Sequence, residues 1–294
     1  MIELRVASTD SDYESWAAIK TRVVPNEPVT AVQLRASDED ARLLLLAAVE
    51  GVDVGCAAGN LSGFGGLSFF GVRVLPEQRG LGVGRELVRA LCDHARALGR
   101  DGVNAFVDAA DVESLAVAEH YGLRVVDYQL QQVRPVGEEA APPPLQGIDV
   151  VAVDGRREAL LRAAWPLAQQ AYEDLPLPGE VSYPIETWLR DEATLPEGSF
   201  VGLELGEVIG YAGLTEHTDP SRAEHGLTVV RRDRRGRGIG RALKLSQIHW
   251  ASQNGIATLS TWTQKGNERM QGLNRSLGYR DVSKMLTVQG PLPL

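Results

Sequence analysis

Arg79-Gly80-Leu81-Gly82-Val83-Gly84 returns 156 residues later as Arg235-Gly236-Arg237-Gly238-Ile239-Gly240. Each copy follows a short apolar run, residues 71–75 and 226–230, and precedes a helical pattern, residues 85–98 and 241–254. A strand, a tight glycine loop and a helix start together make a backbone anion site. The glycines let the chain turn and approach a ligand closely, and the first helical N–H groups have no partner within the helix. The same offset holds beyond the loops. Residues 72–124 align without a gap to residues 228–280, and 11 of these 53 positions are identical. Average composition would give about three. The identities fall on turn glycines and helix faces, among them Gly99/Gly255, Gly122/Gly278 and Leu87/Leu243. The chain therefore reads as a duplicated ligand-binding domain.

Composition sets the outer bounds. With 294 residues there is room for two ordinary domains, and 44% hydrophobic and 23% charged residues describe a folded chain. A net charge of −9 argues against nucleic acid as the main partner, so the arginines around residue 235 read as a local anion site. Cys56 and Cys92 lie in apolar or helical contexts, with no CxxC or HxxxH spacing, so neither a disulfide framework nor a metal site is expected. No apolar run reaches the length of a membrane span, and the first residues read as a strand rather than a targeting segment. A cytoplasmic protein, monomer or homodimer, is the expectation.

Residues 136–147, with Pro142-Pro143-Pro144, lack periodicity and read as a stiff linker. They divide an N-terminal domain, residues 1–135, from a C-terminal domain, residues 148–294. The C-terminal half reads as strand 149–153, then a helix over 156–172 capped by Asp154 and kinked or shortened by Pro166. A short helix 185–191 follows, then a hairpin around Gly206, then the strand, glycine loop and helix. A strand 259–263, a helix 267–277 ending at Gly278 and a last strand 279–288 complete it. The first half runs the same course. The fold class is α/β, in the mixed α+β sense: two copies of a mostly antiparallel sheet flanked by helices.

This order of elements, with these loops, resembles the GNAT superfamily of N-acyltransferases in tandem, as in two-domain actinobacterial members. The hallmark loop Q/R-x-x-G-x-G/A stands here as Arg79 to Gly84 and Arg235 to Gly240, and Leu277-Gly278-Tyr279 matches the end of the family's late helix. The resemblance implies acetyl-CoA as donor and no metal. Its pyrophosphate would lie on the backbone of Gly236, Gly238, Ile239 and Gly240, with Arg235, Arg237 and Arg241 adding charge, and Val230 would pair with the pantetheine amides. The N-terminal counterparts are Val74, Arg79, Gly80, Gly82, Gly84 and Arg85.

The resemblance also places a general base six residues before the pantetheine-pairing valine. That position is Glu224 in the second half and Ser68 in the first, and serine is no base at neutral pH. His225, His217 and Glu216 are the other base candidates. The family's usual tyrosine acid is replaced by Asn274, with Ala118 at the matching N-terminal position. Asn274 can hydrogen-bond a thioester but is a poor acid. For the acceptor, Tyr172, Asp174, Tyr183 and Trp188 offer an acidic, aromatic loop suited to a cationic amine, and the first half has no such aromatics. The expected function is acetyl transfer from acetyl-CoA to a primary amine of a small molecule, in the C-terminal domain, with a non-catalytic N-terminal domain. The competing readings are an acyl-CoA-binding sensor without turnover and a protein N-acetyltransferase.

Overall fold

A computed structural model describes residues 1–25, 28–36, 41–62, 65–174 and 184–292. In chain order the elements are β1 (Ile2–Val6), α1 (Asp10–Val23), α2 (Ala31–Ala36), β2 (Leu43–Val49), β3 (Val52–Leu61), β4 (Leu67–Val74), α3 (Val83–Ala97), β5 (Gly102–Asp108), α4 (Val112–His120) and β6 (Arg124–Pro135). There follow β7 (Asp149–Ala152), α5 (Arg157–Asp174), α6 (Ile185–Asp191), β8 (Phe200–Glu204), β9 (Glu207–Glu216), β10 (Arg222–Val230), α7 (Ile239–Gln253), β11 (Thr258–Gln264), α8 (Glu268–Ser276) and β12 (Arg280–Pro291). The bounds of α3/α7, β5/β11, α4/α8 and β6/β12 differ by 156 residue for residue. The repeat read in the sequence is thus a repeat of structure.

Two compact units form. Unit 1 holds Met1–Asp127 and Leu286–Leu294, and unit 2 holds the described residues between 128 and 285. In unit 1, β1, β2, β3 and β4 pair antiparallel in that order, and β5 joins β4 in parallel. In unit 2, β7, β8, β9 and β10 do the same, β11 joins β10 in parallel, and residues 129–135 of β6 run antiparallel to β11. The end of β12 completes unit 1. There Gln289 Nε2 donates to Asn104 Oδ1 at 3.1 Å and the Leu292 N–H to the Asp101 carbonyl at 2.8 Å. The last strand of each sequence repeat is therefore counted, for most of its length or for its end, with the other unit.

Hydrophobic alternation explains the layers. In unit 1, Phe70, Val72 and Val74 of β4 face α3, packing with Leu87 and Leu91, while Leu44, Leu46 and Cys56 face Trp16 and Ile19 of α1. In unit 2, Tyr211 and Val229 face α5 and α6, and Ile209, Ala212 and Leu214 face α7. Both hairpins turn through two residues of positive φ, Glu50-Gly51 and Leu205-Gly206, as type I′ turns require.

Two expectations need correction. Pro166 does not shorten its helix, because α5 runs for 18 residues through it. The segment 136–147 is no free spacer and lies inside unit 2. Val136 and Leu145 bury themselves against its core, Glu139 pairs with Arg134 at 2.6 Å, and its carbonyl meets His249 Nδ1 at 2.9 Å.

Two glycines test the packing with opposite signs. A Cβ on Gly198 would lie 2.6 Å from the Trp250 ring, whereas Gly272, inside α8, has open space around it. Gly198→Ala is expected to lower unfolding stability by about 1–3 kcal/mol through overpacking. Gly272→Ala should raise it by about 0.5–1 kcal/mol through helix propensity. Urea unfolding of both variants checks this, and equal signs would refute it.

Candidate active site

The loop conformations agree between the halves. Gly80 and Gly82 have φ of 77° and 86°, and Gly236 and Gly238 have 80° and 82°, a left-handed region in which side chains are strained. Gly82 and Gly238 are the N-caps of α3 and α7, and neither offers a side-chain cap. The first N–H groups of both helices are left for a ligand. Arg235 Nε donates to the Val230 carbonyl at 3.0 Å, and Arg79 Nε to Val74 at 3.4 Å, so each arginine folds back over its strand end.

Beside the second loop lies a cleft of about 750 Å³. Leu227 to Val230 of β10 form one wall, Asn267, Met270 and Leu273 of α8 another, and Gly236, Gly238, Gly240 and Arg241 its end. The cleft exists because the strands part. β10 and β11 pair only over Arg222–Glu224 with Thr258–Ser260, and beyond that β10 is unpaired on this side. In unit 1, β4 and β5 pair only over Leu67–Phe69 with Gly102–Asn104. Gly240 needs no positive φ, and a Cβ there would make only ordinary contact with Val230. Its missing side chain leaves room at the end of the cleft.

Glu224 is the last residue of β10 paired with β11, opposite Ser260, and faces Thr215 on β9. The next residues carry an extra one. His225 pairs with Leu214 and Thr228 with Ala212, so Gly226 and Leu227 together face Gly213 alone. This bulge reverses the alternation. Leu227 and Val229 pack toward α5 and α6; without the bulge, position 225 would share that face and Glu224 would point at α7. With it, His225 turns to α7, where its Nδ1 meets Gln247 Oε1 at 2.9 Å, and Glu224 joins the α6 face. Burial raises the Glu224 carboxyl above the ordinary glutamate range, opposed by hydrogen bonds from Ser260 Oγ, at 3.2 Å, and Trp262.

In unit 1 the β3–β4 ladder runs from Gly55↔Val74 to Leu61↔Ser68 without a shift. Ser68 consequently lies on the α3 face, buried, with its Oγ unpartnered. Phe69, paired with Phe106 at 5.7 Å between ring centroids, takes the other face. The halves differ in strand register as well as in residue type.

The remaining sequence candidates separate. Asp174 lines the cleft, at its loop end, and is bound to Arg235 and Arg232 at 2.6 Å each. These arginines hold its carboxyl below the usual range. Arg237 is exposed and paired with Glu204 at 2.7 Å, and Arg234, which also binds Glu204, lines the cleft in its place. Trp188 is a correction: fully buried, it stacks obliquely on Trp165 and Tyr211 in the core, so it forms no acceptor wall. Tyr172 packs partly buried against the same core. Tyr183 lies outside the described residues. Asn274 is fully buried and donates to Gln132 Oε1 at 2.8 Å, while its own Oδ1 has no partner. Glu216 is exposed, and His217 is half-buried, its Nδ1 accepting from the Asp219 N–H at 3.0 Å. Tyr279, its OH directed at His225 Nε2, is buried on the α7 side and held above its ordinary value by that burial.

Sequence reasoning missed Glu192, which follows α6. Its Oε2 accepts from Tyr211 OH at 2.9 Å and its Oε1 from the Leu227 N–H at 3.2 Å. The signal was present as Gly213 and Gly226, since a Cβ on Gly226 would lie 2.6 Å from Oε2.

The model of the acetyltransferase (GNAT) family matches residues 10–123 and 161–279. The chain belongs to the GNAT acetyltransferase family. It is 29% identical to the mycothiol acetyltransferase of Thermomonospora curvata, covering 76% of this chain and 73% of that one. It is 30% identical to that of Frankia alni, covering 71% and 67%. Among solved structures, a tandem GNAT protein from the clavulanic acid biosynthesis pathway superposes with a TM-score of 0.80 over the full length of both chains, at 18% identity. A GCN5-related N-acetyltransferase from Sphaerobacter thermophilus gives 0.76 over 99% and 95%, at 20% identity. These likenesses fix the fold as two GNAT domains, and the family fixes the activity class as N-acetyltransferase.

One buried cation of this acetyltransferase offers a test behind the site. Lys244 of α7 is fully buried with its Nζ 5.6 Å from the Tyr279 ring centroid, and burial lowers it from 10.5 to about 7. A base held below its unfolded value binds fewer protons when folded, so its cost is greatest below about pH 7 and fades as pH rises toward 10.5. Lys244→Met should therefore unfold at higher urea than the parent at pH 6, with the gap closing by pH 9.5. A constant gap would contradict a lysine titrating in this window.

Proposed function

We propose that unit 2 moves an acetyl group from acetyl-CoA to a primary amine of a small molecule, with Glu224 as general base. The observation that carries this reading is the bulge, which puts the Glu224 carboxylate on the face shared with Leu227 and Val229, at one end of a strand whose other end is the glycine loop. From Val230 back to Glu224 an extended strand covers ~20 Å, a length suited to a ligand whose diphosphate lies on the loop and whose reactive end lies at the parting of β10 and β11.

The residues fit such a donor. Free N–H groups at the start of α7 and the guanidinium of Arg241 would hold the diphosphate, and the edge of β10 would pair with the amides of its arm. Glu224 takes a proton from the acceptor's ammonium. The free amine attacks the thioester carbonyl, the carbon–sulfur bond breaks, and the extra proton on the nitrogen of the tetrahedral adduct leaves through water, the amide keeping its own N–H. The cleft's described lining contains no tyrosine, so protonation of the leaving thiolate falls to solvent. A carboxylate raised by burial toward neutral pH is a better base than an ordinary one. The similarity to mycothiol acetyltransferases makes de-acetylated mycothiol the first acceptor to try. For unit 1, the intact loop beside an unbroken β4 favours a second reading: an acyl-CoA-binding domain without turnover.

Thiol release from acetyl-CoA, with de-acetylated mycothiol, glucosamine, cysteine methyl ester and spermidine as acceptors, tests the reading. Glu224→Gln should lower kcat by about a hundredfold or more with little change in the KM for acetyl-CoA. The parent rate should fall as pH drops through the raised Glu224 value, above the ordinary glutamate range, and that limb should vanish in the variant. Gly238→Val should abolish acetyl-CoA binding at this site by straining the loop. Full activity in Glu224→Gln, or no acetyl-CoA binding by calorimetry at millimolar concentration, would sink the proposal.

A further inference from the structure

The bulge in β10 breaks the β9–β10 ladder, and a broken ladder leaves polar backbone groups that must find other partners. Side chains from both faces of the sheet meet them. On the α6 face, Glu192 Oε1 accepts the Leu227 N–H at 3.2 Å, and Tyr211 OH fixes the other oxygen at 2.9 Å. On the α7 face, the Gln247 amide donates to the carbonyls of Ala212, at 3.2 Å, and Gly213, at 2.8 Å. With both its amide protons so directed, Gln247 Oε1 can only accept. His225 Nδ1 therefore carries the proton, and its Nε2 accepts from Tyr279 OH.

The surroundings are built for this arrangement. Gly213 and Gly226 clear the volume that the Glu192 carboxylate fills. Arg157 donates to the main-chain carbonyls of Leu189, at 2.6 Å, and Ala193, at 3.0 Å, and so fixes the chain on either side of Glu192. Gln247 is fully buried. Burial raises the Glu192 carboxyl, opposed first by the hydrogen bonds from Tyr211 and Leu227 and more weakly by the charge of Arg157, so its main role here is that of a hydrogen-bond acceptor.

We propose that Glu192 and Gln247 are positioning residues for acetyl transfer, which clamp the irregular stretch of the β9–β10 ladder from opposite faces and thereby hold Glu224 on the sheet face it shares with Leu227 and Val229, two residues that line the cleft. This rests on the reading of Glu224 as base. Neither residue touches the reacting atoms. They act by keeping a one-residue register that the strand would otherwise lose, since an unbroken ladder recovers its backbone hydrogen bonds and turns Glu224 toward α7.

The clamp is tested by amide hydrogen exchange at Leu227 together with kinetics on acetyl-CoA and de-acetylated mycothiol. Glu192→Gln keeps one acceptor oxygen and should behave nearly as the parent. Glu192→Ala should speed Leu227 exchange tenfold or more and lower kcat at least tenfold, while the KM for acetyl-CoA stays within about threefold. Gln247→Leu, made from the other face, should reproduce the loss in kcat, which guards against a folding failure peculiar to position 192. Added to Glu224→Gln, Glu192→Ala should cost nothing further, because both act through one group. Unchanged exchange and kcat in both Glu192→Ala and Gln247→Leu would overturn the clamp. Equal losses in Glu192→Ala and Glu192→Gln would overturn it too, since the charge and not the acceptor would then matter. If Glu224→Gln alone is fully active, the base reading fails, whereas Leu227 exchange still decides whether the clamp exists.

Discussion

A single extra residue in β10 is the constraint on which the site depends. Side chains on a strand alternate, so any two residues an even number apart share a face. Glu224 and Val230 are six apart, yet Val230 packs with Ile239 of α7 while Glu224 belongs to the α6 face. Only the bulge reconciles them. It also ends the pairing with Gly213 in regular register, and close to it the parallel pairing with β11 stops, so the same irregularity that aims the carboxylate accompanies the opening of the cleft. An irregular strand is costly unless its freed groups are satisfied. Here Glu192 and Gln247 satisfy them, which is why a buried carboxylate and a fully buried amide stand at this point in an otherwise apolar core.

The two halves show what duplication preserves and what it lets go. Loop geometry is retained to within a few degrees in φ, and the helices after the loops keep the same bounds. These features depend on glycines and on an apolar helix face, and both copies kept them. Register was not kept. β4 has eight residues in an unbroken ladder, β10 nine with a bulge. One residue more or less reverses every side chain beyond it, so changing Ser68 to a carboxylate would not give unit 1 a counterpart of Glu224. Such a residue would point into the α3 core.

What the sequence made legible follows from how local each signal is. The glycine loops, the helix bounds, the hairpin turns and the tandem GNAT fold rest on residues close in the chain, and the repeat offset doubled each signal. The bulge is invisible to such reading, because the extra residue is defined only against a partner strand. Glu192 was missed for the same reason: its meaning lies in two glycines, one 21 and the other 34 residues away, whose missing side chains make its space. Trp188 was misplaced because an amphipathic pattern over seven residues cannot say which side of a short helix faces the core. Pro166 does not shorten α5, since the helix is held by Leu160, Leu161, Leu167 and Ala168 on its buried face, and this packing outweighs one lost hydrogen bond. The exchange of the last strands had no sequence signal, as β6 and β12 are repeats of each other and suit either place.

The arginine cluster shows how an acidic chain keeps an anion site ready. Arg235 and Arg232 share Asp174, and Arg234 and Arg237 share Glu204, so the cations of the loop are partly neutralised in the free protein. Exposed pairs of this kind are worth at most about 1 kcal/mol each and weaken with salt. In the function proposed above, exchanging Asp174 for a diphosphate with two charges and several acceptor oxygens would therefore cost little and gain charge-assisted hydrogen bonds in return. Arg241 differs. Its guanidinium donates to Ser276 Oγ at 3.1 Å, a neutral partner, and it lines the end of the cleft beside the free N–H groups of α7. With Arg235 held back by Asp174 and Arg241, among the described residues, in no ion pair, the free cation at this end of the cleft lies beside the start of α7. That is where the glycines leave the backbone open, so charge and access coincide without any one residue having to supply both.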